Sequence, residues 1–378
     1  MRHGLVATLL LVGGCATFEE GRPGDPGYLA GNPPAELLTV RWRRLLGEPP
    51  LIEYKPQEFA QAVGDGNRVF VGCRAGWLYA LSPSDGRLLW RKTIPAGISS
   101  RPLYLPEAQR LYVGTDDGAL MSLDPRTGAV RWLYQAKGPL ASPPVESDGV
   151  LYFTSGENRL YAVDAQSGVW RWQYEREAPE TFAIRGYGAP LVFGGRVYAG
   201  FADGYLATLN ARTGDVIWAR ALGGDSGRFL DVDSTPVIDQ GTLYVASRSA
   251  GLYALDPADG ATRWRFEVEG GGTVRLDGDR LFFTATPGGL YCLDRKGRLQ
   301  WRQSLAGQGE LSEPVLLGAR HLLVSASDGG AYVVERERGR LLQLFAPGHG
   351  ITAAPSVDGR RVFVLTNAGF LYAFTFAG

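Results

Sequence analysis

The strongest constraint on this chain is a segment written six times: a small residue, an apolar residue, a turn, a Gly and, four residues later, a Trp. The copies are ALSPSDGRLLW (80–90), SLDPRTGAVRW (122–132), AVDAQSGVWRW (162–172), TLNARTGDVIW (208–218), ALDPADGATRW (254–264) and the shorter CLDRKGRLQW (292–301). A seventh, VVERERGRLLQ (333–343), keeps the Gly and ends on Gln343 instead of Trp. A period near forty residues calls for a stack or ring of similar units. Most Trp and Gly are then structural, and specific function must lie where the repeats differ.

Within a copy the pattern has period two. In GWLYALSPSDG, Leu78 and Ala80 face one way and Trp77 and Tyr79 the other. Turn formers follow, closed by a Gly suited to a left-handed backbone. Asp124, Asp164, Asp256 and Asp294, with Asn210, open these turns, where a short side-chain oxygen accepts backbone N–H groups. The Trp then offers a large ring to a neighbouring sheet. Two further short strands precede each copy, as in 189–204 and 235–247, so each unit has four strands and almost no helix.

Such units are propeller blades. Inner strands are expected near Phe59, Pro102, Pro144, Pro190, Pro236, Thr273, Pro314 and Pro355, which makes eight. The last unit, 353–378, stops after three strands, while 37–48 is an orphan outer strand with its own Trp42. Joining the two removes an open sheet edge. The expected fold is all-β: an eight-bladed β-propeller of four-stranded antiparallel blades, closed by the N-terminal strand. Seven blades with a loose N-terminal arm would leave 353–378 without a role.

The N-terminus reads as an address. Arg2 precedes a short apolar or small stretch, 4–14, which ends in VGGC (12–15) and is too short to span a bilayer. It resembles the lipobox of bacterial lipoproteins, which implies that Cys15 is lipidated; an ordinary secretory signal with a chance Cys is the alternative. Non-acidic Ala16 implies sorting to the periplasmic face of the outer membrane. The expected organisation is a signal peptide over 1–14, lipidated Cys15 with a flexible tether over 15–36, and the propeller over 37–378.

Thirty-nine basic and thirty-nine acidic residues cancel, so nothing draws the chain electrostatically to nucleic acid or an anionic membrane. Cys73 and Cys292 fall on blades one and six and read as buried apolar side chains, not a disulfide. Outside the signal the only His are His321, in a predicted strand, and His349, in a loop. No His/Cys set has metal-ligand spacing and no phosphate-cradling loop precedes a helix, so no cofactor or metal is expected. DVD (231–233) lacks the ligand series of a calcium site. The glycines of GGDSG (223–227) and EGGGT (269–273) read as loop flexibility, and RERGR (336–340) as a solvated turn tip.

Connection lengths show where the repeats differ. From outer-strand Trp to the next inner-strand Pro the usual distance is eleven to thirteen residues, but Trp172 to Pro190 and Trp218 to Pro236 each span eighteen. Consecutive blades place these connections side by side on one face. The first carries REAPETFAIRGYG (176–188), the second GGDSGRFLDVDS (223–234). Phe182, Ile184 and Phe229 are costly to leave in water, and Arg185 faces the acidic pair Asp231 and Asp233. Apolar anchors with one Arg and a charged rim suit a protein-binding site. Equally, the apolar residues tuck onto their own blade and Arg185 pairs internally with Asp231 or Asp233.

Taken together, the lipobox, the eight quinoprotein-type repeats, TFAIRGYGAP (181–190) and RFLDVDSTPV (228–237) resemble the BamB family of outer-membrane protein assembly factors over essentially the whole chain. The resemblance implies that an apolar-x-apolar-Arg loop and an Asp-x-Asp loop contact a periplasmic domain of BamA. Phe182, Ile184, Arg185, Asp231 and Asp233 take those positions, with Phe182 where the family commonly has an aliphatic side chain. The implied function is a non-catalytic scaffold that helps deliver nascent outer-membrane proteins. A quinone-cofactor dehydrogenase on the same ring would need an adjacent Cys pair and large insertions, which the chain lacks. A propeller of another envelope complex is the third reading.

Overall fold

Each repeat folds into four antiparallel strands, and eight such sheets form the ring. The computed structural model describes the main chain of 17–19 and residues 36–47, 56–177, 188–223, 231–286, 288–305 and 308–378; among these there is no helix. Blade one is typical, with Val63–Gly64, Val69–Gly72, Trp77–Leu81 and Leu88–Thr93 running from the channel outwards. Six inner strands, at Leu103, Val145, Leu191, Val237, Val315 and Ser356, begin one residue after the expected Pro.

The period-two pattern survives, yet it separates two apolar faces rather than core from solvent. Leu78 and Ala80 pack with Leu111, Val113 and Met121 of blade two, while Tyr79 and Leu81 pack with Phe363, Leu365 and Leu371 of blade eight. Every blade is clamped between two others, so its middle strands are buried on both sides. Only outer strands alternate with solvent.

The turns explain the repeated Asp, Gly and Trp. Asp124 Oδ1 accepts Arg126 N–H at 2.8 Å, and Asn210 Oδ1 accepts Arg212 N–H at 2.9 Å. The turn glycine has φ of 73° at Gly168, a region costly for any side chain. A Cβ there would also stand 2.6 Å from the Trp132 ring. Each repeat Trp thus lies flat on the turn Gly of the following blade and donates its indole N–H to that turn: Trp90 to Pro125 O at 3.0 Å, Trp172 to Ala211 O at 3.0 Å, Trp264 to Arg295 O at 3.0 Å.

Closure uses the same device. Leu38–Leu45 pairs with the last strand, Phe370–Phe376, in the register Leu38↔Phe376, Trp42↔Ala373 and Leu45↔Phe370. Trp42 covers Gly86 of blade one and donates to Pro83 O at 3.1 Å. Blade eight takes its outer strand from Leu38–Leu45, so no hairpin turn joins its two outermost strands and blade seven has no turn glycine to cover. Gln343 replaces the Trp there: its Oε1 accepts both Leu37 N–H and Leu38 N–H at 2.9 Å.

Two expectations need correction, and a segment read as a tether carries a short strand. Thr17–Glu19, inside the segment read as a tether, pairs with Leu344–Ala346 as a fifth strand on blade seven. An outer blade strand has an open edge that accepts any extended segment. EGGGT is a close-packed junction, not a flexible loop: Gly270 N–H donates to Arg248 O at 2.7 Å, and a Cβ on Gly270 would strike the Thr286 carbonyl. The RERGR turn is more than a solvated tip, because Arg336 pairs with Asp277 of blade six. Cys73 and Cys292 are buried free thiols, pushed by burial to about 11 and about 12.

Three turn carboxylates also bridge to an arginine on the following strand: Asp124–Arg131 at 2.7 Å, Asp164–Arg171 at 2.8 Å and Asp256–Arg263 at 2.8 Å. The Arg171 bond, with Ser167, lowers the Asp164 carboxyl to about 2. A depressed folded-state pKa stabilises the fold above the ordinary carboxylate range, and the gain is lost as pH falls through the folded value. Asp164→Asn keeps the turn, as Asn210 does in blade four, but removes the bridge. Its melting temperature is expected to lie below wild type at about pH 6 and to converge with it below about pH 2. Thermal scans across that range check this; a gap unchanged at the acid end overturns it.

Candidate partner-binding site

The two long connections emerge on the same face, and the structure brings their described ends into contact. The first leaves blade three at Arg176, whose guanidinium bonds Asp203 at 2.5 Å and stacks 3.9 Å from the Tyr205 ring of blade four. Asn158 Nδ2 donates to Glu177 O at 2.9 Å, and its Oδ1 accepts Ala202 N–H at 2.9 Å. The connection returns at Gly188, where a Cβ would stand 2.6 Å from Asp233 O, so only Gly lets the loops approach this closely. Ala189 N–H then donates to Thr235 Oγ1 at 2.9 Å.

The second connection is seated as firmly. Val232 N–H donates to Phe201 O at 3.1 Å, and Gly200 leaves the space that the Val232 carbonyl fills. Ser234 Oγ donates to Ala246 O at 2.9 Å. Asp231 is buried at 1 % exposure, and its carbonyl accepts Arg248 N–H at 3.0 Å. Asp233 lines the cavity enclosed by the inner strands, where Arg248 Nε reaches its Oδ2 at 3.0 Å; the two side chains are 10 % and 20 % exposed. Arg248 Nη2 also meets Glu310 at 3.3 Å, from the connection between blades six and seven. Burial raises the Asp233 carboxyl above the ordinary range, against the pull of Arg248.

Phe182, Ile184 and Arg185 lie outside the described residues, as does Phe229. Asp231 and Asp233 are brought together with the exit of the first loop, and the described partner of Asp233 is Arg248. Reading the sequence alone overlooked Arg248 and Glu310. A signal existed: Arg248 opens the turn between second and third strands, where Asp116, Gly156, Ala202, Thr286, Ser327 and Asn367 stand in other blades and only Arg74 matches its charge. Cys15 also lies outside the described residues.

The inner strands enclose a cavity of about 440 Å³, with Asp233, Arg248 and Glu310, and also Arg101, Arg275 and Glu313, on its wall. Among the described residues no group of three or more His, Cys, Asp or Glu is placed to hold a metal ion. His321 packs edge-on to Phe376 at 5.5 Å, a structural placement in which burial lowers its pKa.

Ring and blade construction define an eight-bladed β-propeller. Quinohemoprotein alcohol dehydrogenase ADHIIG from Pseudomonas putida HK5 shares the fold, with a TM-score of 0.69 at 13% identity over 90% of this chain and 76% of that one. The crystal structure of BamB from Moraxella catarrhalis has a TM-score of 0.78 at 23% identity, covering 90% of this chain and all of that one. A family model described as outer membrane protein assembly factor BamB matches residues 39–108, 105–297, 248–342 and 295–377. The chain belongs to this BamB family. The BamB of Legionella pneumophila is 29% identical over 197 residues, and that of Yersinia pestis 25% over 317, or 82% of this chain and 70% of its own. The Legionella match spans about half of either protein, 50% of this chain and 51% of the relative.

Proposed function

We propose that this chain is a non-catalytic scaffold of outer-membrane protein assembly, held by lipidated Cys15 at the periplasmic face of the outer membrane. It binds a periplasmic domain of BamA and helps present nascent outer-membrane proteins for insertion. Its docking surface is the face formed by the two long connections, with Phe182, Ile184 and Arg185 on the first and Asp231 and Asp233 on the second. The observation that supports this reading is the junction of Gly188 with the Asp233 main chain, which brings together the described ends of the two connections that depart from the repeat. Membership of a family named for outer membrane protein assembly supports it. The likeness to a quinohemoprotein dehydrogenase, at 13% identity, extends to the fold alone.

Binding of purified BamA periplasmic domain, measured by calorimetry, tests the reading. Phe182→Ala is expected to weaken it about thirtyfold, the loss of roughly 2 kcal/mol typical of a central apolar anchor. Arg185→Ala is expected to weaken it too, and to couple with acidic residues of the partner in double-mutant cycles. Wild-type affinity in the Phe182 variant, with zero coupling at Arg185, would place the docking surface elsewhere.

A further inference from the structure

Two of the contacts that fix the acidic loop, at the Asp231 carbonyl and the Asp233 carboxylate, converge on one arginine. We infer that Arg248 is a positioning residue of the docking surface: it pins the Asp233 carboxylate, and thereby the loop rim, with Asp233 acting inside the ring and not as a contact to the partner. The inference rests on the docking reading and deepens it.

Arg248 is held at its base before its side chain acts. Its N–H donates to Asp231 O at 3.0 Å, and its carbonyl accepts Gly270 N–H at 2.7 Å, so the residue is stapled between two connections. From that base the guanidinium spans Asp233 at 3.0 Å and Glu310 at 3.3 Å, linking the connections that enter blades five and seven. Burial of the Asp233 carboxylate leaves it dependent on this cation, because a buried charge without its partner is strongly disfavoured. Gly188 rests on the Asp233 and Ser234 main chain with no side chain between, so any displacement of 233–234 moves the end of the first loop. The first loop's other end is already tied at Glu177 by Asn158. The two described ends of the first loop are therefore held by Asn158 on one side and by the Asp233 main chain on the other.

Hydrogen exchange of the amides in 188–189 and 231–235 tests the clamp without a partner. Arg248→Ala and Asp233→Asn are each expected to speed exchange there at least about tenfold, with melting still cooperative, and the double variant to be no faster than the worse single. Arg248→Lys, which restores a cation but not the fork, is expected to recover part of the protection. Affinity for the BamA periplasmic domain is expected to follow the same order. It falls about tenfold in each single variant and no further in the double, within the range of ordinary coupling between sites. Asp233 is expected to show no coupling to partner residues. If Arg248→Ala leaves exchange and affinity unchanged while Asp233→Asn loses binding, Asp233 touches the partner and the inference is overturned. If wild-type protein does not bind the BamA domain, the docking reading fails, and the exchange data still decide whether the clamp exists. Should Arg248→Ala not fold, the Arg248→Lys and Asp233→Asn pair carries the same comparison.

Discussion

Deleting residues 38–45 is expected to leave the chain largely unfolded at temperatures where the intact protein is native. The deletion removes Leu38, 1 % exposed and packed with Leu317, Phe345 and Phe376, and the ring of Trp42 over Gly86. Losing a buried leucine costs about 2–5 kcal/mol and a buried tryptophan about 3–5 kcal/mol. Trp42 is only half-buried, so the lower end applies to it. Even so, the sum is comparable with the roughly 5–15 kcal/mol that holds a typical domain together. The deletion also uncovers the edge of Phe370–Phe376, a template for pairing between molecules. Thermal unfolding with sedimentation checks both effects, and a peptide spanning 36–47 added in trans is expected to restore part of the loss. An unchanged melting temperature in a monodisperse deletion variant would refute closure by this strand.

The second large effect distinguishes two tryptophans two residues apart. In WRW (170–172), Trp172 is buried at 6 % exposure, lies on Gly214 of blade four and donates to Ala211 O at 3.0 Å. Trp170 is 53 % exposed. Trp172→Ala is expected to cost about 3–5 kcal/mol, since it removes the ring and leaves the Gly214 turn uncovered. The melting temperature should fall by about 5–10 °C. Trp170→Ala is expected to stay within about 0.5 kcal/mol of wild type, as exposed substitutions usually do. Equal losses in the two variants would mean that the stack between blades is not what holds them.

Much of this was legible beforehand because repeats make local rules redundant. Asp124, Asp164, Asp256 and Asn210 announce the turns, the Gly four residues before each Trp marks the left-handed corner, and Trp42 outside any complete copy points to closure. The reading went astray where the same residue type answers two needs. The glycines of EGGGT looked like freedom and prove to be close backbone approach, since Gly270 sits against Thr286. A sequence shows that a side chain is missing but not what fills its space.

By itself the sequence determined the class of fold, the number of blades, the strand that closes the ring and the two connections that depart from the repeat. All of these follow from spacing and period, which are properties of neighbours along the chain. Only the tertiary structure decided that the carboxylate of Asp233 meets Arg248, fifteen positions away, and through it Glu310, sixty-two positions beyond Arg248. Ion-pair partners depend on which charged ends share a low-dielectric corner once the blades have packed, and no periodicity encodes that choice.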